Sequence, residues 1–322
     1  MRLLPYILLT LSLCISTTVS AAHHGEKPEP QKAVLVTGSN SGLGLKMAQE
    51  LSQNGFYVYA GVKNKNEMEA MNNMANVTAI QFDVRNQDEI DAAVEFVEKQ
   101  GRGLYGLINN AGISVFGPLL ETPIDQVHYL MDVNVYGPMR VTQAFAPLII
   151  ESKGRIATTG SIAGIVSTPI FGSYSMSKHA IEAYTDALAQ EMARFEVSVH
   201  VIEPGTYKSN IGIAAKKVLD DSNYWTEETA YPQERAYFLE QLTKINQHPD
   251  PARVGKAALH AMQSDSPRPR YMVIERVEQA DRVLRRQLSK MLELNDGQAH
   301  QFDDARLVEM LNEEIAKRSK AP

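Results

Sequence analysis

From Lys32 onward, short apolar runs alternate with helical patterns, and this alternation limits the possible folds more than any other feature of the chain. AVLVTG, FYVYAGV, TAIQFDV, GLYGLINNAG, GRIATTGS, VSVHVIEPG and RYMVI each read as a buried strand. Between them, SGLGLKMAQELSQNG, DEIDAAVEFVEKQ, VHYLMDVNVYGPMRVTQAFAPLII, SKHAIEAYTDALAQEMARF and ARVGKAALHAM place apolar residues at helical spacing. Strands separated by helices pair in parallel, since a parallel neighbour needs a crossover. Right-handed crossovers then cover both faces of the sheet. The expectation is one α/β domain over residues 32–275, a doubly wound parallel sheet with helices on both faces. Residues 207–247 carry only a faint helical pattern, and 276–322 read as a charged helical extension.

The first strand runs into VLVTGSNSGLG, which sets Gly38, Gly42 and Gly44 between strand and helix. Free N–H groups and a partial positive charge at a helix start suit a pyrophosphate, and glycines let it approach. An ordinary strand-to-helix turn reads the same way in isolation. With the strand–turn–helix context the arrangement is Rossmann-like. A carboxylate at the end of the second strand would accept from a ribose hydroxyl and repel a 2′-phosphate. That strand ends AGVKNKN, with no acid through Asn66, and Lys63 and Lys65 could pair with a phosphate. The expectation is therefore a preference for NADP(H), although a neutral strand end also tolerates NAD(H).

The N-terminus is unlike the rest. Residues 1–22 hold one basic residue, an apolar stretch and then small residues, with VSA ending at Ala21. A cleaved signal peptide is favoured over an uncleaved anchor, because Leu3–Val19 is short for a bilayer span and contains Pro5. Either reading places the chain in the secretory pathway or at a membrane through this segment, and residues 23–31 read as a polar linker. The one cysteine, Cys14, lies in this leader, so the folded part can form no internal disulfide. A net charge of −6 argues against a nucleic-acid partner. His, Cys, Asp and Glu show no metal-ligand spacing. Asn76-Val77-Thr78 is a glycosylation sequon, but it leads into a strand pattern.

Five further fragments follow in order: Asp83 in FDV, NNAG at Asn109–Gly112, Asn134, Ser161, and Tyr174 four residues before Lys178. Singly they read as a turn residue, a structural turn, a helix-bending polar residue, a cap and a shared helix face. Together with the glycine turn they resemble the short-chain dehydrogenase/reductase family over about residues 32–275. EPG at Glu203–Gly205 and the YKSN that follows are similar to its steroid and retinol dehydrogenase branch. The resemblance implies that Tyr174 is the general acid/base, Lys178 the cation that lowers its pKa, Ser161 the carbonyl anchor and Asn134 the holder of a proton-relay water. It also implies a cofactor site along Gly38, Ser41, Gly42, Leu43, Gly44, Lys63, Asp83, Val84, Asn110, Ala111, Gly112, Tyr174, Lys178, Pro204, Gly205 and Ser209, with Asp83 accepting from an adenine amino group. Family members are commonly oligomers, so a homo-oligomer is expected.

The residue types fit that chemistry. A phenol is a poor base near neutrality, and a cation beside it stabilises the phenolate. Lys178 follows Tyr174 by one helical turn, whereas Tyr59 and Lys63 share the spacing within a strand pattern, where four residues span roughly 13 Å. Ser161 can hydrogen-bond a substrate oxygen and fix its angle. ISVFGPL, IVSTPIFG and the 207–247 segment are expected to surround the substrate. The first two are mainly apolar, which suits a lipophilic secondary alcohol or ketone of steroid- or retinoid-like kind. The alternatives are a non-catalytic nucleotide-binding protein of the same fold, or an epimerase that shows no net oxidation.

Overall fold

The computed structural model describes residues 31–222 and 224–318. The expected leader, most of the linker and Cys14 lie outside the described residues. The strands are β1 (Ala33–Thr37), β2 (Tyr57–Val62), β3 (Val77–Gln81), β4 (Gly106–Asn109), β5 (Arg155–Thr159), β6 (Ser198–Pro204) and β7 (Arg270–Val273). They form one sheet in the order β3-β2-β1-β4-β5-β6-β7, with every pairing parallel. The winding reverses between β1 and β4, and it is beside such a reversal that open α/β sheets leave a crevice at the carboxyl ends of their strands.

Eleven α-helices are described: α1 (Gly42–Gln53), α2 (Lys65–Asn72), α3 (Gln87–Lys99), α4 (Ile124–Met131), α5 (Gly137–Glu151), α6 (Gly172–Met192), α7 (Ile211–Ser222), α8 (Pro232–Thr243), α9 (Ala252–Gln263), α10 (Val277–Asn295) and α11 (Asp304–Arg318). Alternation along β1 sends Val34 and Val36 to one face, with Met47, Leu51 and Ala258, and Leu35 to the other, with Ile90, Phe145 and Ile149. Both faces of β1 are fully buried, which is why it reads as an unbroken apolar run.

Three departures from the expected pattern bear on the site. The run expected as one helix from Val127 is two, α4 and α5, joined by a π-helical turn at Asp132–Tyr136 that contains Asn134. An inserted residue of this kind leaves the apolar spacing almost unchanged, so the sequence conceals it. Helix α2 has little apolar periodicity to signal it, and is started by a capping box between Asn64 and Glu67. The faintly patterned 207–247 segment contains α7 and α8.

Candidate active site

The glycine turn is built around close approach. Gly38 and Gly42 have φ of +63° and +55°, a region where a side chain is strained. A Cβ on Gly44 would lie 2.3 Å from the Gly38 carbonyl oxygen and 2.4 Å from Asn110 Nδ2. Asn110 donates to the carbonyls of Thr37 (3.0 Å) and Gly38 (3.1 Å) and accepts from Thr159 Oγ1 (3.3 Å). Thr37 Oγ1 in turn accepts from the Asn110 and Ala111 N–H groups, both at 2.9 Å. The Asn110 side chain thus clamps the ends of β1, β4 and β5 and shapes the floor of the crevice. Its expected part was to line that crevice.

Ser41 caps α1 without a side-chain hydrogen bond, and the first turn of the helix has no acid. Its N–H groups and positive dipole end are therefore open to a phosphate. Ser209 leans over the same turn, its Cβ 3.1 Å from where a Gly42 side chain would begin. The residues present fit a dinucleotide: the glycines leave a cradle that side chains would fill. Gly205 has its open side against Gln279 of α10, and Val84 packs against Gly137.

The end of β2 differs from expectation. Lys63 Nζ lies 3.2 Å from Asp83 Oδ2, so the lysine expected at a phosphate is paired with the carboxylate expected at an adenine. Arg85 binds the same carboxylate through Nη2 to Oδ2 (2.7 Å) and Nε to Oδ1 (3.1 Å). Burial alone would raise the Asp83 carboxyl, but the hydrogen bonds from Arg85 and Lys63 outweigh it and hold the group well below the usual carboxylate range. Glu67 reaches back from α2: its Oε1 accepts from Asn40 Nδ2 in the glycine turn (2.8 Å) and its Oε2 from the Asn64 N–H (3.1 Å). The sequence reading missed both Arg85 and Glu67. The Asn64-x-x-Glu67 spacing, a capping-box signature, is the signal that could have found Glu67.

Ser161 lies two residues past β5, where it caps a short 3-10 turn and accepts from the Ala163 N–H at 3.1 Å. Tyr174 and Lys178 lie on one face of α6, with Lys178 Nζ 5.7 Å from the Tyr174 ring centroid. Lys178 donates to the Thr159 carbonyl at 2.7 Å, which seats the ammonium on the end of β5. Asn134 is buried, and its amide is committed. Its Oδ1 accepts from the Ile113 N–H, and its Nδ2 donates to the Ile113 carbonyl (both 2.9 Å) and to Ser177 Oγ (3.1 Å). Ser177 Oγ donates to the Tyr174 carbonyl at 2.7 Å. The π-helical turn therefore ties the loop after β4 to α6 beside the tyrosine.

Burial dominates the electrostatics of the tyrosine and the lysine. Burial pushes the Tyr174 phenol up to about 12, and the Ser161 hydroxyl pulls against it. Burial also pushes Lys178 down to about 8, opposed by Glu182. The part expected of Lys178, lowering the tyrosine's pKa, has to work against this burial.

The three segments expected around the substrate do meet. Phe116 lies 4.6 Å from Phe171, 6.1 Å from Tyr174 and 5.2 Å from Phe238 between ring centroids, and Trp225 lies 5.5 Å from Phe238. Tyr224 fastens the segment before α8 by donating to the Phe116 carbonyl at 2.8 Å. With Ile170 and Leu219 these rings form an apolar wall that ends at Tyr174.

Comparison with known proteins places this architecture. A family model described as short chain dehydrogenase matches residues 32–218. The chain is 33% identical over 263 residues to D-beta-hydroxybutyrate dehydrogenase, mitochondrial, of Mus musculus, covering 74% of this chain and 76% of that protein. It is 30% identical over 253 residues to Retinol dehydrogenase 16 of Mus musculus, covering 74% and 80%. A short chain dehydrogenase/reductase from Burkholderia phymatum, solved in complex with NAD, superposes with a TM-score of 0.70 at 21% identity, covering 81% of this chain and 95% of that one. These matches show the family: the chain is an oxidoreductase of the short-chain dehydrogenase/reductase family.

Proposed function

We propose that the chain moves a hydride between a nicotinamide dinucleotide and a lipophilic secondary alcohol or ketone, of steroid- or retinoid-like kind. One observation carries the reading. The aromatic wall and the acid–base pair share a residue, since Tyr174 meets Phe116 across the wall and has the Lys178 ammonium 5.7 Å from its ring. A bound dinucleotide would give the hydride to a ketone when reduced or take it from an alcohol when oxidised, and the oxidised form would add a positive charge. Gly38, Gly42, Gly44 and the open start of α1 would hold its pyrophosphate. Ser161 fixes the substrate oxygen, and the Tyr174 phenol exchanges a proton with it. Lys178 and the added positive charge bring the phenol down from its buried value. The apolar wall excludes water while this happens.

Lys63 and Lys65 support a preference for NADP(H). Lys63 can leave Asp83 for a 2′-phosphate because Arg85 still holds that carboxylate through two bonds. A specific observation favours a second reading, NAD(H): Glu67 is fixed on the glycine turn by Asn40 and Asn64, where a carboxylate accepts from ribose and repels phosphate. The experiment is a panel of lipophilic, sugar-like and short-chain alcohols and ketones run with both cofactors. Turnover confined to the apolar members supports the substrate class. Cofactor binding without turnover across the panel would sink the enzymatic reading in favour of a non-catalytic binder. Glu67→Gln is expected to raise the NADP-to-NAD ratio of kcat/KM, and an unchanged ratio removes Glu67 from the choice. We further propose that residues 1–22 act as a cleaved leader and that the chain is a homo-oligomer. Mass spectrometry of the mature N-terminus and sedimentation test these two points.

A further inference from the structure

Behind the tyrosine–lysine pair, away from the substrate wall, lies a cluster of charged groups that the reaction scheme does not use. Glu182 follows Lys178 by one turn on the same face of α6. Its Oε1 lies over the end of β5, 2.9 Å from where a Gly160 side chain would begin, next to the Thr159 carbonyl that seats Lys178. Glu203 on β6 is 2% exposed. Arg270 on β7 reaches across both strands: its guanidinium pairs with Glu182 and Asp186 and lies 3.4 Å from Glu203 Oε1. Three carboxylates and two cations from α6, β6 and β7 thus pack into one corner.

Two carboxylates buried together cannot both ionise at low cost, and one proton between them relieves the repulsion. Glu182 Oε1, buried and accepting no hydrogen bond among the described residues, is an acceptor awaiting such a proton. Burial pushes Glu203 up to about 8, with the Glu182 charge adding to it, and burial also raises Glu182. With one proton on the pair, Lys178 and Arg270 face one shared negative charge and the charge of Asp186, and the corner is neutral. Lys178 needs this balance. A buried ammonium with only carbonyl partners gives up its proton readily, and Glu182 is the carboxylate whose charge supports it.

We propose that Glu182 is a positioning residue for the proton transfer: through a proton-sharing pair with Glu203, clamped by Arg270, it supplies the negative charge that keeps Lys178 an ammonium seated on Thr159 beneath Tyr174. The proposal rests on the dehydrogenase reading above. Glu182 touches neither substrate nor cofactor and acts only through Lys178. The groups facing Lys178 are Tyr174 and Glu182 on its own helix and the Thr159 carbonyl on β5. Those facing Glu182 are Lys178 and Asp186 on α6, Glu203 on β6 and Arg270 on β7.

The test is Glu182→Gln in the full chain, which keeps the shape and removes the charge. The alkaline limb of the kcat/KM–pH profile for alcohol oxidation is expected to move down by about one pH unit, while KM for the cofactor stays within about twofold. Arg270→Gln, at a more exposed position, is expected to move the limb up instead, by a smaller amount, because it removes a cation from the corner that Lys178 shares. It serves as the working variant should Glu182→Gln not fold. Lys178 can also be followed without turnover, through the pH titration of its 13Cε resonance, which is expected to move in step with the limb. A purely structural role would lower thermal stability and leave both the limb and the lysine titration in place, and that result overturns the proposal. Absence of turnover in the wild-type chain would overturn the dehydrogenase reading instead, and the lysine titration would still decide for or against Glu182.

Discussion

Replacing Gly42 by alanine separates binding from folding at the glycine turn. Gly42 has φ +55°, and an added Cβ would lie 3.1 Å from Ser209 Cβ. The left-handed backbone costs a non-glycine residue about 1–2 kcal/mol, and Ser209 must give by a few tenths of an ångström. A destabilisation of about 2 kcal/mol lowers the melting temperature of a chain this size by several degrees and leaves it folded. The same methyl group intrudes where a pyrophosphate would lie on the open start of α1, so cofactor affinity is expected to fall at least about tenfold, roughly 1.4 kcal/mol. Gly44→Ala should behave otherwise. Its Cβ would lie 2.3 Å from the Gly38 carbonyl oxygen, a main-chain atom that cannot move aside, so loss of the folded protein is expected. Thermal unfolding with and without NAD(H) or NADP(H), together with a fluorescence titration of the reduced cofactors, reads both effects. Wild-type cofactor affinity in a folded Gly42→Ala protein would refute the assignment of the turn as a phosphate cradle.

Other perturbations test the surroundings. Asp83 in the folded chain sits below its ordinary value of 3.8, so its contribution to stability is complete above that pH and is lost as pH falls through the folded value. Arg85→Gln is expected to cost about 1.5 kcal/mol and to raise the pH midpoint of acid unfolding, as followed by circular dichroism. Phe116→Ala should cost about 3–5 kcal/mol and raise KM for bulky apolar substrates more than for short ones in steady-state assays, because Phe116 links Phe171, Phe238 and Tyr174.

Much of the fold is legible in the sequence because a parallel sheet buries both faces of its strands. All seven apolar runs are strands, and Tyr59 lies in one of them, as its surroundings suggest. The polar helix α2 is illegible to apolar spacing and depends on the local bonds of Asn64 and Glu67. The placing of Ser161 just past a strand and of Tyr174 and Lys178 on one helix face follows from residue order. Side-chain pairings across elements do not follow from order. Lys63 is drawn to Asp83 by the parallel pairing that sets the ends of β2 and β3 side by side, and Arg85 joins them only because the chain turns after β3. The cluster at Arg282, Arg285, Arg286 and Lys290 reads as a solvated face, and ion pairs of Arg285 with Asp281 and of Arg286 with Glu293 agree with that. Lys290 instead donates to the Ile165 carbonyl, so α10 fastens the loop that follows Ser161. The buried values of Tyr174 and Lys178 were invisible for the same reason, since they depend on which atoms cover them.

The most direct measurement is the turnover of Tyr174→Phe set beside its cofactor affinity. A phenyl ring fills the same place against Phe116 without a hydroxyl. Kcat is expected to fall by at least about a hundredfold, the usual contribution of a positioned acid–base group, while the Kd for the dinucleotide stays within about threefold. A Tyr174→Phe enzyme that keeps a tenth or more of wild-type kcat would show that the proton moves through some other group.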